Sequence, residues 1–140
     1  MIKIYTDGSC IGNPGKGGWA AIIINGEKKT RIKGSKKNTT NNQMELLAPI
    51  KALNKIPKGS KVQVFTDSKY VKSGITEWIR NWEKNGWKTA NKKQVKNIEL
   101  WKELDLLNNE FEIKWSWVKA HSMDKLNNEV DLIAREAANL

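Results

Sequence analysis

Two short runs of strand-like alternation, Ile2-Lys3-Ile4-Tyr5-Thr6 and Val62-Gln63-Val64-Phe65-Thr66, each stop at an aspartate, Asp7 and Asp67. A period of two marks a half-buried strand, so two strands are expected to carry a carboxylate at their ends. Between them, Asn25-Gly26 follows the apolar run Trp19 to Ile24. Asn-Gly supplies the positive φ angles of a two-residue hairpin turn, so a third strand, about Glu27 to Lys33, should pair antiparallel with the second. A hairpin bracketed by two such runs leaves few ways to build a sheet.

The first strand is expected to end at Asp7-Gly8, with Gly12 to Gly18 as a glycine-rich connection and Ser35 to Asn42 as a polar loop. A helix from about Gln43 to Asn54 follows, with a capping box from Thr40 and Gln43 or from Asn42 and Glu45. Pro57-Lys58-Gly59 breaks the chain before the Val62 strand. Helical signals then cover Ser68 to Ser73, Thr76 to Trp82 and Val95 to Leu107, with a polar loop around Asn85 to Lys93. A strand, Glu112 to Val118, precedes a last helix from about Leu126 to Asn139, where Leu126, Val130, Ile133, Ala134 and Ala137 recur at helical spacing. An antiparallel meander followed by helix-connected strands implies an α/β fold, a mixed sheet with helices on both faces. Ligands in such sheets gather beyond the strand ends, where Asp7 and Asp67 would meet.

At 140 residues and 16.0 kDa, residues 1–140 are expected to form one domain with its own core. The single Cys10 allows no intramolecular disulfide, and the apolar run Trp19 to Ile24 is too short to span a bilayer. A cytoplasmic protein is the expectation. The net charge of +10 and pI near 9.7 favour polyanionic partners.

Glu45 and Asp131 fall on expected helices, Asp131 four residues after Asn127 on one face. Singly, each acidic residue has a plainer reading as a turn, a cap or a solvated face. Gathered at one point, four carboxylates repel unless cations neutralise them. Hard oxygen ligands of this kind suit Mg²⁺ or Mn²⁺ on phosphate substrates. His121 is the only histidine, and an unperturbed imidazole titrates near working pH, which suits proton transfer. From Trp78 to Trp101, Trp78, Trp82 and Trp87 alternate with Arg80, Lys84, Lys88, Lys92, Lys93 and Lys96. Lysines can follow phosphates while aromatic faces pack on sugars or bases. Gly12 to Gly18 has neither the P-loop nor the dinucleotide spacing. It reads as a backbone turn that can approach a ligand closely, with Cys10 as a small packing residue beside it.

Together these motifs resemble type 1 ribonuclease H over nearly the whole chain: Tyr5 to Cys10 with Gly12 to Gly15, Thr39 to Leu46, Thr66 to Val71, Gly74 to Trp101, Trp117 to His121, and Asn127 to Asp131. The resemblance implies a ribonuclease H-like five-stranded mixed sheet of order 3-2-1-4-5 and endonucleolytic cleavage of the RNA strand in RNA/DNA hybrids. It implies 5′-phosphate and 3′-hydroxyl products and two Mg²⁺ ions, replaceable by Mn²⁺. Asp7, Glu45, Asp67 and Asp131 are carried over as metal ligands, with Asp7 bridging both ions, Glu45 and Asp67 on the leaving-group side and Asp131 on the nucleophile side. His121 is carried over as a proton-transfer helper. Cys10, Gly12, Asn13, Asn41 and Gln43 would lie along the RNA strand.

Residues 78–97 resemble the family's basic protrusion, placing Trp82, Lys84, Trp87, Lys88, Lys92, Lys93 and Lys96 on the DNA strand. Thr40, Trp78 and Asn97 would form a DNA-phosphate pocket. A monomer that binds through this protrusion, without a separate hybrid-binding domain, is expected. Two residues depart from the pattern: Pro49 lies inside the Glu45 helix, where a kink could re-aim the ligand, and the His121 loop lacks flanking glycine. The rival readings are a nuclease of the same fold acting on double-stranded RNA or DNA, and a hybrid-binding module without catalysis.

Overall fold

In a computed structural model that describes residues 1–119 and 124–140, five strands form one sheet in the order β3-β2-β1-β4-β5. Strands β1 (Ile2–Ile11), β2 (Gly15–Asn25) and β3 (Lys28–Thr39) form the antiparallel meander, turning at Asn25-Gly26 with Gly26 at φ 62°. Strands β4 (Lys61–Thr66) and β5 (Glu112–Trp117) add in parallel on the other side of β1. The expected mixed sheet and its order are therefore present.

Alternation along the central strands divides the core between the two faces. Ile2, Ile4, Ala21, Ile23, Val62 and Val64 pack with Leu46, Ile50 and Leu53 of α1 (Asn41–Leu53) and with Trp101 and Leu104 of α4 (Ile98–Glu110). Tyr5, Ala20 and Ile22 pack with Val130 and Ala134 of α5 (Lys125–Ala138). Helices thus cover both faces.

The boundaries differ where tertiary contacts overrule local sequence. β1 does not stop at Asp7 but runs on to Ile11, because it keeps β2 as a partner (Ile11 opposite Lys16) after β4 has ended. Only Gly12 to Pro14 make a turn; Gly15 to Gly18 belong to β2, paired on one side with β1 and on the other with β3 as far as Thr39. The polar stretch expected as a loop is therefore largely strand. It is an edge strand, where lysines are common and sequence polarity says little.

A continuous helical path runs from α2 (Lys69–Ser73) through a π-helical turn (Gly74–Trp78) into α3 (Ile79–Lys84). Helix α4 starts at Ile98 rather than Val95, because Asn97 lies in the left-handed region (φ 60°, ψ 31°) and cannot extend the helix backwards. Thr40 caps α1 by accepting a bond from Gln43 N at 3.2 Å. The reciprocal half of the capping box does not form, since the Gln43 amide bonds Thr39 and Asn97 instead. Helix α1 continues through buried Pro49 as one element.

Candidate metal centre and nucleic-acid interface

Strand register brings the first two carboxylates together. Thr6 and Thr66 are the last parallel pair between β1 and β4, so Asp7 and Asp67 are the next residue on each chain. Glu45 arrives from α1, whose close approach to β1 depends on Gly8. A Cβ at Gly8 would stand 2.4 Å from Glu45 N and 2.5 Å from the Met44 carbonyl carbon. The Gly8 N–H donates to both acids, to Asp7 Oδ1 at 2.9 Å and to Glu45 Oε1 at 2.6 Å. On the opposite face Gly18 does the same for α5, where a Cβ would stand 2.4 Å from the Ala134 carbonyl oxygen. The two helices that carry Glu45 and Asp131 thus each lean on a glycine. A glycine inside a strand pattern is a known sign of close backbone approach, and it is the signal a motif reading passes over.

Asp7, Glu45 and Asp67 each offer a carboxylate oxygen, all within 4.8 Å of one another. Asp7 and Glu45 are buried. Burial, followed by the Glu45 charge, pushes the Asp7 carboxyl up to about 12; burial also pushes Glu45 up to about 8 despite its bond from Gly8. Burial raises Asp67, and the nearby Asp131 charge adds to it. With the three acids ionised as metal ligands, Glu45 Oε2 is buried with no hydrogen-bond partner among the described residues, beside the carboxylates of Asp7 and Asp67. A buried acceptor left in this way is costly, and a cation among the three oxygens removes that cost. The donor set, all hard oxygen, fits Mg²⁺ or Mn²⁺.

Asp131 lies beside this trio rather than within it. Its Oδ2 pairs with Arg135 Nη2 one helical turn on, at 2.9 Å, while its charge still acts on Asp67. Asp67 is steadied by an unanticipated contact: the Trp117 indole N–H donates to the Asp67 carbonyl oxygen at 3.0 Å, and Lys69 Nζ sits 4.9 Å from the same ring. His121 lies outside the described residues.

Beyond the carboxylates, Asn13, Thr40, Asn41, Asn42, Gln43, Lys96 and Asn97 line an open cleft of about 510 Å³. Asn13 Oδ1 accepts from Asn41 N at 2.9 Å, which ties the β1–β2 turn to the start of α1. The half-buried Cys10 thiol donates to the Thr39 carbonyl at 3.4 Å, and Gly12 occupies the exposed turn at φ 79°. Of the expected RNA-side residues, Asn13, Asn41 and Gln43 share the cleft, while Cys10 and Gly12 lie outside its lining, in the β1–β2 hairpin.

The basic segment is built on stacked rings. Trp78 contacts Trp82 at 6.0 Å between centroids, Trp82 contacts Trp87 at 6.3 Å, and Trp82 rests on Trp101 at 5.3 Å. Trp101 is fully buried and Trp82 and Trp87 half-buried, whereas Trp78 remains 38% exposed. The loop after α3 is held by a bridge between Lys88 and Gln94 and by a bond from Val95 N to Trp87 O at 3.2 Å. Lys84, Lys88, Lys92, Lys93 and Lys96 are all exposed. The tryptophans are chiefly scaffold and the lysines the free charge.

Among the described residues no helix is long and apolar enough to cross a membrane. The sequence profile of the family described as RNase H matches residues 1–139. The chain is 57% identical over 136 residues to the ribonuclease H of Wolbachia sp. subsp. Drosophila simulans, covering 97% of this chain and 94% of that protein. It is 53% identical over 134 residues to that of Ehrlichia chaffeensis, covering 96% and 92%. Among solved structures it is similar to LC9-RNase H1, a type 1 RNase H with the type 2 active-site motif, at a TM-score of 0.86 and 28% identity, covering 99% of this chain and 72% of that one. It is also similar to part of a foamy viral protease-reverse transcriptase solved with an RNA/DNA hybrid, at a TM-score of 0.77 and 26% identity, covering 98% and 20%. With its sheet order, its carboxylates at the β1 and β4 register and a match along its whole length, the chain belongs to the ribonuclease H family of nucleases.

Proposed function

We propose that this chain is an endonuclease that hydrolyses the RNA strand of RNA/DNA hybrids with two divalent cations, leaving 5′-phosphate and 3′-hydroxyl ends. The observation that carries this reading is the buried trio Asp7, Glu45 and Asp67 with Glu45 Oε2 unsatisfied, with an amide-lined cleft at the start of the same helix that carries Glu45. When bound, the cations supply a hydroxide-like nucleophile and neutralise charge on the leaving 3′-oxygen. Asp7, on the central strand, would hold both cations, with Glu45 and Asp67 serving the leaving-group side and Asp131 the nucleophile side. The Gly8 N–H fixes the angle at which Asp7 and Glu45 present their oxygens. His121 is assigned to proton transfer from its position in the family pattern.

The amides of Asn13 and Asn41 at the cleft suit ribose 2′-hydroxyls, the groups that tell RNA from DNA. Exposed Lys84, Lys88, Lys92, Lys93 and Lys96 suit the phosphates of the DNA strand, and the relative solved with a hybrid supports that substrate. Replacing Lys88, Lys92, Lys93 and Lys96 with alanine is expected to weaken hybrid binding. It should also flatten the salt slope of log K by up to about 0.9 for each phosphate no longer neutralised. Equilibrium binding over a salt series reads this directly, and an unchanged slope would remove the protrusion from the interface.

The function itself is tested by cleavage of a labelled RNA/DNA hybrid in Mg²⁺, beside double-stranded RNA, single-stranded RNA and double-stranded DNA. Cutting confined to the RNA strand of the hybrid, and stopped by chelator, is the expected result. Preference for double-stranded RNA or DNA would favour the rival nuclease, and binding without cutting the non-catalytic module.

A further inference from the structure

A single line of hydrogen bonds crosses from the sheet edge to the aromatic stack. Thr39 Oγ1 donates to Gln43 Oε1 at 2.7 Å; Gln43 Nε2 donates to Asn97 Oδ1 at 3.3 Å; Asn97 Nδ2 donates to Tyr70 Oη at 3.1 Å. Trp101 Nε1 donates to the same phenol oxygen at 2.9 Å. The line therefore links β3, α1, the residue before α4, and α2. At one end Thr39 is buried, and at the other the Trp101 indole is fully enclosed. The Tyr70 ring packs on Trp101 at 5.2 Å and on Trp78 at 6.0 Å. Both anchors are thus fixed by packing, and two of the links between them, Gln43 and Asn97, line the cleft.

Asn97 is the link under most constraint. Its backbone is left-handed, and its side chain makes no cap for the helix it precedes. An amide carries one acceptor oxygen and two donor hydrogens. Here the Asn97 oxygen is taken by Gln43 and one hydrogen by Tyr70, so the second hydrogen has a set direction. Gln43 has its oxygen and one hydrogen committed in the same way. Neither amide can turn without breaking a bond at each end.

We infer that Tyr70 is a positioning residue for substrate: its phenol oxygen, anchored on buried Trp101, holds the Asn97 amide preset for a nucleic-acid phosphate in the cleft, and Gln43 is the second clamp on that amide. The inference rests on the proposed reading that this cleft receives the hybrid. It couples the two strands, because Gln43 sits on the helix that begins between Asn13 and Glu45 while Asn97 closes the basic segment. It also gives Gln43 a role inside the protein in addition to any contact with RNA.

The test is a pair of double-mutant cycles read as KM and kcat on the RNA/DNA hybrid, with affinity measured in parallel in Ca²⁺. Tyr70→Phe removes only the hydroxyl. It is expected to raise KM and Kd by about three- to tenfold, the worth of one hydrogen bond, with kcat at the wild-type level. Tyr70→Phe/Asn97→Ala is expected to be no worse than Asn97→Ala alone. Gln43→Met, at the far end of the line, is expected to show the same non-additivity with Asn97→Ala without disturbing Trp101, which covers the case in which Tyr70→Phe folds poorly.

Full additivity in both cycles, or an unchanged KM in both Tyr70→Phe and Gln43→Met, would overturn the positioning role while leaving the cleft reading intact. An unchanged KM in Asn97→Ala would overturn the phosphate site and the positioning role together. A wild-type protein that neither binds nor cuts hybrids would overturn the functional reading first, and this inference with it.

Discussion

Asp7→Asn is expected to lower hybrid cleavage by on the order of 10³-fold or more, since a metal ligand removed from phosphoryl chemistry forfeits several kcal/mol of transition-state stabilisation. The same substitution is expected to make the metal-free protein more stable. The Asp7 carboxyl is raised from 3.8 to about 12 by burial and then by Glu45. A group raised on folding contributes stability that is complete below its unfolded pKa and is lost as pH rises towards the folded value. At neutral pH the unfolded chain therefore gains from ionising Asp7 while the native one cannot. Asparagine, of nearly the same shape and neutral throughout, removes that drain. Thermal unfolding in chelator should show Asp7→Asn level with the wild type near pH 4 and ahead by ~1–3 kcal/mol at pH 7. Adding Mg²⁺ should narrow the gap, because only the wild-type site gains much from the cation. A variant less stable than wild type at every pH would contradict this description of the cluster.

Gly8→Ala is expected to damage both fold and chemistry. Its Cβ would lie 2.4 Å from Glu45 N, 2.5 Å from the Met44 carbonyl carbon and 2.8 Å from Met44 Cβ. Two of these atoms are helix backbone, which cannot swing aside as a side-chain tip can. Helix α1 must lift from β1, at a cost of about 1–3 kcal/mol or more. The lift also pulls Glu45 Oε1 away from the Gly8 N–H, so the surviving folded molecules hold a displaced ligand. A misplacement near 1 Å is worth about 10²-fold in rate. Urea unfolding and a cleavage assay well below the unfolding midpoint separate the two effects. Wild-type turnover in the folded fraction would show that Gly8 serves packing alone.

Much of this could be read from the chain because strand alternation and helix spacing are local. Ile2 to Thr6 and Val62 to Thr66 announced β1 and β4, and the positions of Asp7 and Asp67 followed from where β4 ends. Asn25-Gly26 announced the hairpin. The failures share a cause: the deciding neighbour is far away in sequence. Gly15 to Gly18 looked like loop, yet they are strand between β1 and β3, and Gly18 leaves room for α5. Lys36 to Thr39 looked solvated, yet they complete an edge. Val95 looked like the first turn of a helix, but Asn97, tied to Gln43 and Tyr70, sets the start three residues later. At the site, three of the four expected carboxylates lie together, and Asp131 lies beside them. The ion pair holding Asp131 was legible as an i, i+4 spacing with Arg135, a signal that a search for acids alone passes over.

Isothermal titration of Mg²⁺ into the wild-type protein near pH 7, in two buffers of different ionisation enthalpy, decides whether the buried acids hold a cation. Asp7 and Glu45 are both raised by burial and must shed protons to become ligands. The expected result is binding whose apparent enthalpy differs between buffers, reporting proton release, with both binding and release diminished in Asp7→Asn. Equal binding by wild type and Asp7→Asn, or binding with no proton released, would contradict a cation site built on these buried acids.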